Sequence, residues 1–461
     1  MKEEFGEYLE HLCEALDHQD RHVALKDYCR GLMLPLERKS IEPLAAHTAP
    51  LQVQAKHQSL HHFVAKSMWS DEAVLKRTRQ WVIPWLGLEQ GCYWIVDDSG
   101  FPKKGTHSVG VGHQYCGQVG KTTNCQVAVS LSLASVQGSL PIAYQLYLPQ
   151  KWAEDAARRQ AGGVPKEIEF ATKPRIALEQ IRSACRDGVR PGVVLADAGY
   201  GDETAFRDGI TELGLPYVVG VRPGTTVWTQ DILPLPPKPW SGRGNKPTRL
   251  RTAPDHEPIT IKELAMSSAV RYEQVTWREG SNTALSSRFA CTRVRAAHRT
   301  NASLRPEEWL LIEWPKGATE PAKYWFATGP DNATLAQLVL IAKMRWRIER
   351  DYQDLKQEFG LSHYEGRNWT GFHHHATLCI AAYAFLMYQR LRYDGVKKNS
   401  VWTKMPALPK DYIPRGQATH TAACSGFDPN VTSTHRTHYR SNINAMSLLL
   451  PGCQQGKFVT Q

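Results

Sequence analysis

From Arg345 to Phe359 the chain reads RWRIERDYQDLKQEF, without glycine or proline. Ile348, Tyr352, Leu355 and Phe359 recur at helical spacing and predict an amphipathic helix with one core face. Arg345, Glu349 and Lys356 share a second face, where a carboxylate lies between two cations. A surface helix with ordinary i,i+4 ion pairs shows the same pattern. Two upstream strands give this helix its meaning.

Residues 1–90 read as mostly helical. Phe5, Leu9 and Leu12 begin an apolar stripe, and Ser70 followed by Asp71 and Glu72 marks a helix start. A DNA-binding region and a structural cap both fit this stretch. Residues 91–221 change character. 'CYWIVDD' is a short strand ending in two acids, and 'CQVAVSLSLAS' and 'SLPIAYQLYL' suggest antiparallel strands around a 'VQG' turn. A helix over 173–187 precedes 'PGVVLADAGYG', a buried strand running into a glycine-rich turn. This alternation predicts an α/β sheet with an acid at the end of each of two strands.

From about 222 the pattern breaks. Pro234, Pro236, Pro237, Pro239, Pro247, Pro254 and Pro258 punctuate a polar, basic segment that cannot be regular structure. The runs 'YEQVTWREG', 'SSRFACTRVRAAH', 'EWLLIEW' and 'KYWFATG' then predict a β-rich insertion over 222–335, with Arg293 and Arg295 on one strand face. Residues 336–392 hold the helix of Glu349 and an apolar buried helix, 'TLCIAAYAFLMYQRL'. Residues 393–461 keep no period and read as an irregular tail. No internal repeat is present.

The chain has 461 residues, enough for two or three domains, and a formal net charge of +11 that favours an acidic partner such as nucleic acid. Its ten cysteines form no CxxC pair, which argues against structural zinc and a disulfide framework and suits a reducing compartment. The N-terminal 'MKEEFGEYLEHLCEAL' is unlike a signal peptide, and no apolar run reaches membrane-spanning length. A soluble cytoplasmic protein is expected.

Asp97, Asp197 and Glu349, with Asp98 as a rival for the first, form the chemical centre of this reading. Carboxylates from adjacent strand ends converge, and a helix packed on the sheet supplies a third. Such a cluster suits Mg²⁺ or Mn²⁺, hard ions that take oxygen ligands. Two ions held this way support in-line phosphoryl displacement.

'IVDDSGFPKKGTHSVGVGHQYCGQVGKTTNCQVAVSL', 'VVLADAGYG' and 'RWRIERDYQDLKQEFGLSHYEGRNWTGFHHHATL' together resemble DDE transposases of the IS701 family, related to the IS4 group, over roughly residues 20–390. The resemblance implies an RNase H-like core interrupted by a β-rich insertion before the last catalytic acid. It implies Asp97, Asp197 and Glu349 as catalytic metal ligands, with Asp97 preferred because the family's second position varies. The interval from 197 to 349 exceeds that from 97 to 197, as an insertion requires. The IS4-group signature Tyr-x2-Arg-x3-Glu-x6-Lys fits Arg345, Glu349 and Lys356, but Ala342 stands at the tyrosine position. Arg345 and Lys356 are then candidate DNA-backbone contacts.

The resemblance further implies a bacterial, nucleoid-associated transposase. It would bind terminal inverted repeats, cleave them with Mg²⁺ (Mn²⁺ substituting), and transfer the 3′ end to target DNA. A hairpin intermediate and at least a homodimer in the synaptic complex are expected. Trp277 is a candidate for stacking on a flipped base, although a tryptophan in a strand more often packs in a core. Arg293 and Arg295 are further candidate DNA contacts. Lys103 and Lys104 follow the first acid and are placed to steer phosphate, or are merely solvated.

'GQVGKTT' imitates a phosphate-binding loop. Tyr115 stands where its first glycine should be, and a strand-like run follows, so that reading is rejected. His373, His374 and His375 are consecutive on a helix and point in different directions, which disfavours a metal cluster. The rival readings are an inactive or domesticated transposase-derived DNA-binding protein and a P-loop nucleotide hydrolase.

Overall fold

The computed structural model describes residues 1–278, 284–297 and 304–393; the irregular tail expected from 393 lies almost wholly outside them. Five helices come first: α1 (Lys2–Cys13), α2 (Asp20–Met33), α3 (Ile41–Thr48), α4 (Val53–Ala65) and α5 (Asp71–Val82). The stripe of Phe5, Leu9 and Leu12 is buried. Ser70 caps α5 by accepting the Ala73 N–H, with Asp71 and Glu72 in the positively polarised first turn.

Strands β1 (Tyr93–Pro102), β2 (Gly112–Cys116), β3 (Lys121–Ala134) and β4 (Ser139–Leu146) form an antiparallel group. Short helices α6 (Gln150–Ala153) and α7 (Ala156–Ala161) lead to α8 (Lys173–Arg186). Next come β5 (Val193–Ala196), the one-turn α9 (Ala198–Gly201), α10 (Thr204–Glu212) and β6 (Tyr217–Val221). β5 lies parallel to β1, and β6 parallel to β5. The all-apolar β5, buried at every position, is what a strand covered on both faces requires.

β1 corrects one expectation. The strand does not end at its acids but runs on to Pro102, because its ladder with β3 continues from Asp97↔Ser130 to Pro102↔Cys125. Only the parallel ladder to β5 stops, at Ile95↔Leu195. The acids therefore sit where the sheet opens on one side.

The stretch expected to be an insertion holds β7 (Thr226–Trp228), β8 (Ile259–Thr260), α11 (Ile261–Met266), β9 (Glu273–Arg278), β10 (Leu285–Ala296), β11 (Glu308–Trp314) and β12 (Lys323–Ala327). It is not a separate sheet. β12 pairs antiparallel with β6, so the strands run on in the order β2-β3-β1-β5-β6-β12-β11-β10-β7-β8, with β4 on β3 and β9 on β10. The result is a mixed α/β protein built on one large mixed sheet.

Three helices follow: α12 (Leu335–Lys343), α13 (Trp346–Gln357) and α14 (Trp369–Tyr393). Thr334 and Gln337 form a reciprocal capping box on α12. The helix expected to include Arg345 begins one residue later, with Arg345 at its N-cap. Ile348, Leu355 and Phe359 are wholly buried, each burial worth about 2 kcal/mol. Apolar on nearly every side, α14 needs cover all round. The N-terminal helices provide part of it: the Tyr8 hydroxyl donates to Ala381 O at 2.9 Å, and the Tyr28 hydroxyl meets His375 Nδ1 at 2.8 Å. No described helix is long and apolar enough to cross a membrane.

Candidate active site

The ladder between β1 and β5 pairs 93 with 193, 94 with 194 and 95 with 195. Carried two residues further, that register sets Asp97 beside Asp197. Asp197 has left the strand and caps α9, its Oδ1 accepting the Gly199 N–H at 2.8 Å. The turn depends on two glycines. A Cβ at Gly220 of β6 would come within 2.8 Å of Ala198 N, and one at Gly201 within 2.0 Å of Gly220 O. Those contacts are with backbone and cannot rotate away.

Alternation along β1 separates the two neighbouring aspartates. Asp98 receives Lys173 Nζ at 2.5 Å, and the Tyr200 hydroxyl stands 3.5 Å from the same oxygen. Asp97 turns to the last helices instead. Arg345 Nη1 donates to Asp97 Oδ2 at 2.8 Å and Nη2 to Glu349 Oε1 at 2.6 Å, so one guanidinium holds both acids. Burial pushes the Asp97 carboxyl up to about 6. Arg345 opposes that rise, the nearby Asp197 and Asp98 add to it, and the Asp98 N–H opposes it. Burial and the charges of Asp98, Asp97 and Asp197 likewise hold the Tyr200 phenol well above its ordinary value.

The acids do not form a closed ligand cage. Among the described residues no group of three or more His, Cys, Asp and Glu side chains is placed to hold a metal ion. Glu349 is 59 % exposed and turned toward Arg345. The donors are nonetheless of the right kind. A carboxylate on β1, one just past the end of β5 and a third from the helix tied to the first offer hard oxygens alone, which suits Mg²⁺ or Mn²⁺ better than softer ions.

Lys356 lies on the same helix as Glu349. Its Nζ donates to Gly100 O at 2.9 Å and to Gln118 Oε1 at 3.3 Å, and burial lowers its pKa. Lys103 Nζ donates to Tyr364 O at 3.1 Å, whereas Lys104 is exposed. The insertion residues stand with other partners, outside the group of acids. Trp277 packs edge-on to Phe289, and Lys343 Nζ sits 4.3 Å from its ring centroid. Arg293 meets Asp331 at 3.0 Å and Glu307 at 3.7 Å, and Arg295 meets Glu307 at 3.3 Å.

Both decoys are resolved by their surroundings. 'GQVGKTT' is the turn and first residues of the β2–β3 hairpin, so no helix N-terminus faces it. The three histidines diverge: His373 Nε2 accepts the Leu146 N–H, His374 lies between Val64 O and Trp69 O, and His375 faces Tyr28 and Gly360 O.

Sequence reading missed Lys173, Tyr200 and Lys343. Tyr200 lies within 'DAGYG', but nothing in its spacing marks it as a neighbour of Asp98. Lys343 precedes Arg345 by two residues. Its ammonium bonds both Glu313 carboxylate oxygens at 2.8 Å beneath Trp277, Phe289 and Trp325, locking the insertion to the approach to α13.

Residues 11–284 match the DDE superfamily endonuclease family, and the chain belongs to that family. It is 33% identical over 205 residues to the probable transposase for insertion sequence element IS701 of Microchaete diplosiphon. That match covers 44% of this chain and 49% of the relative, so it spans about half of the relative's length. Among solved structures, the piggyBac transposase synaptic complex with hairpin DNA aligns with 95% of this chain and 74% of its own, at a TM-score of 0.40 and 9% identity.

Proposed function

We propose that this chain is a DNA transposase that binds the terminal inverted repeats of an insertion sequence and carries out metal-dependent strand cleavage and strand transfer. One observation carries the reading: Arg345 ties Glu349 to Asp97, and the parallel register of β1 and β5 brings Asp197, just past the end of β5, close to Asp97. The order β4-β3-β1 antiparallel, then β5 and β6 parallel, supports an RNase H-like core.

Asp97, Asp197 and Glu349 would hold Mg²⁺, with Mn²⁺ as substitute. The bound cation would lower the cost of forming a hydroxide or 3′-alkoxide nucleophile and of releasing the leaving oxygen. Asp97 takes this role because it faces Glu349, through their shared Arg345, and Asp197, whereas Asp98 meets Lys173 on the other face of β1. Arg345 has two tasks: it holds Glu349 toward Asp97 and offers donors to a phosphate once either acid turns away. Lys356 keeps the β2–β3 hairpin against α13 and adds positive charge beside the scissile strand. Lys103 and Lys104 extend that charge along the DNA, and Trp277, Arg293 and Arg295 are contacts reached only after they leave their present partners. Two ends must be held together, so the working form is at least a homodimer, and a hairpin intermediate fits an insertion at this position.

The test uses DNA carrying both ends of the element that encodes this chain, with purified protein and Mg²⁺. Wild-type protein cleaves at the ends, and Glu349→Gln binds them without cleaving. Binding without cleavage by both proteins would make the chain a DNA-binding relic.

A further inference from the structure

The segment between β7 and β8 takes no part in the site of the three acids. From 232 to 254 it carries Lys238, Arg243, Lys246, Arg249 and Arg251 and no Asp or Glu. The first four are exposed and form no ion pair among the described residues. Like charges gathered without acids repel one another and contribute nothing to folding.

Their scaffold is nevertheless shaped. Leu235 and Arg251 exchange both backbone hydrogen bonds at 2.9 Å and close a neck. Arg251 Nε donates to Pro236 O at 2.9 Å, and His256 Nδ1 meets Leu233 O at 2.7 Å below the neck. At the tip the Trp240 indole N–H donates to Gly244 O at 3.1 Å, over a turn in which Gly242 and Gly244 take φ of +84° and +73°. Pro236, Pro237, Pro239 and Pro247 limit the remaining freedom. Ordering such a ribbon on a partner therefore costs little entropy.

We propose that the ribbon of residues 235–251 is an arm that grips the phosphate backbone of duplex DNA without regard to sequence, through Lys238, Arg243, Lys246 and Arg249. Charge complementarity selects this partner: four exposed, unpaired cations with no acid among them, on one segment closed by a neck, suit a polyanion that presents many phosphates. The inference rests on the DNA-transposase reading and adds a second, sequence-independent hold remote from the acids in the chain. Arg251, tied to the neck, positions the arm.

The experiment measures anisotropy of a fluorescent duplex of unrelated sequence, titrated with the full chain across a series of KCl concentrations. Replacing Lys238, Arg243, Lys246 and Arg249 together by Gln lowers the slope of log K against log salt by about 3 to 4, at about 0.9 for each phosphate no longer neutralised. Exchanging the same four residues between Lys and Arg leaves the slope as in wild type. An unchanged slope in the Gln variant overturns the arm, as does an equal loss in the Lys/Arg exchange, which would place the effect in the ribbon's shape. A wild-type chain that shows the full slope yet cleaves no element ends fails at the acid site alone, so the arm's failure and the acid site's failure read differently. Wild-type protein that binds no duplex overturns both the arm and the DNA reading.

Discussion

Arg345 and Asp97 are separated by 248 residues in sequence, yet Nη1 of one donates to Oδ2 of the other at 2.8 Å. The pair fastens the start of α13 to the middle of β1, and its second arm reaches Glu349. Both partners are about three-quarters buried, so the loss of one leaves a charge in poor solvent. Arg345→Ala should lower stability by about 1–3 kcal/mol in urea unfolding, and Arg345→Lys should recover part of it. Lys supplies the charge but not two directed donors.

Asp351, on the buried side of α13, gives a pH prediction. Burial raises its carboxyl to about 6, while hydrogen bonds from Ser139 and Tyr383 and the charge of Arg347 oppose the rise. Between its ordinary 3.8 and about 6 the folded chain binds more protons than the unfolded chain. Stability contributed by this group is therefore present below that window and lost as pH rises through it. Asp351→Asn should gain about 1–3 kcal/mol relative to wild type on going from pH 4 to pH 7. Chemical unfolding at the two pH values checks the sign.

Much of α13 was legible before its neighbours were known. The stripe of Ile348, Tyr352, Leu355 and Phe359 depends on local periodicity, and the Arg345–Glu349 pair on i,i+4 spacing. The Arg345–Asp97 pair was not, because no local pattern reports contacts between distant segments. β1 was cut short for a similar reason. Two acids usually end a strand, but here each finds a cation, Arg345 or Lys173, that lets the ladder to β3 continue. The pairing of β12 with β6, which joins β7–β12 to the main sheet, is likewise a tertiary choice between apolar strands.

Lys343 offers a test of how the insertion positions α13. Its ammonium and Glu313 are both largely buried, so Lys343→Met leaves an unpaired carboxylate under the aromatic rings. A loss of about 3 kcal/mol is expected by urea unfolding. The double variant Lys343→Met with Glu313→Leu should recover most of it.

Gly220→Ala probes the turn at Asp197. The new Cβ would press on Ala198 N and on the Asp197 Cα, 3.3 Å away. The expected cost is about 1–3 kcal/mol, with cleavage of element ends reduced much further than stability alone would require. Cleavage measured well below the variant's unfolding transition separates the two effects.

In the proposed enzyme Asp97, and not its neighbour, joins Asp197 and Glu349 in one catalytic centre. The most direct measurement is the rate of Mg²⁺-dependent cleavage of end-bearing DNA by Asp97→Asn, Asp98→Asn and Asp197→Asn, each shown to be folded. Losses of about a thousandfold or more, roughly 4 kcal/mol in barrier, are expected for the variants at 97 and 197. A loss of less than about tenfold is expected for the variant at 98. Cleavage that survives Asp97→Asn and disappears with Asp98→Asn would contradict that assignment.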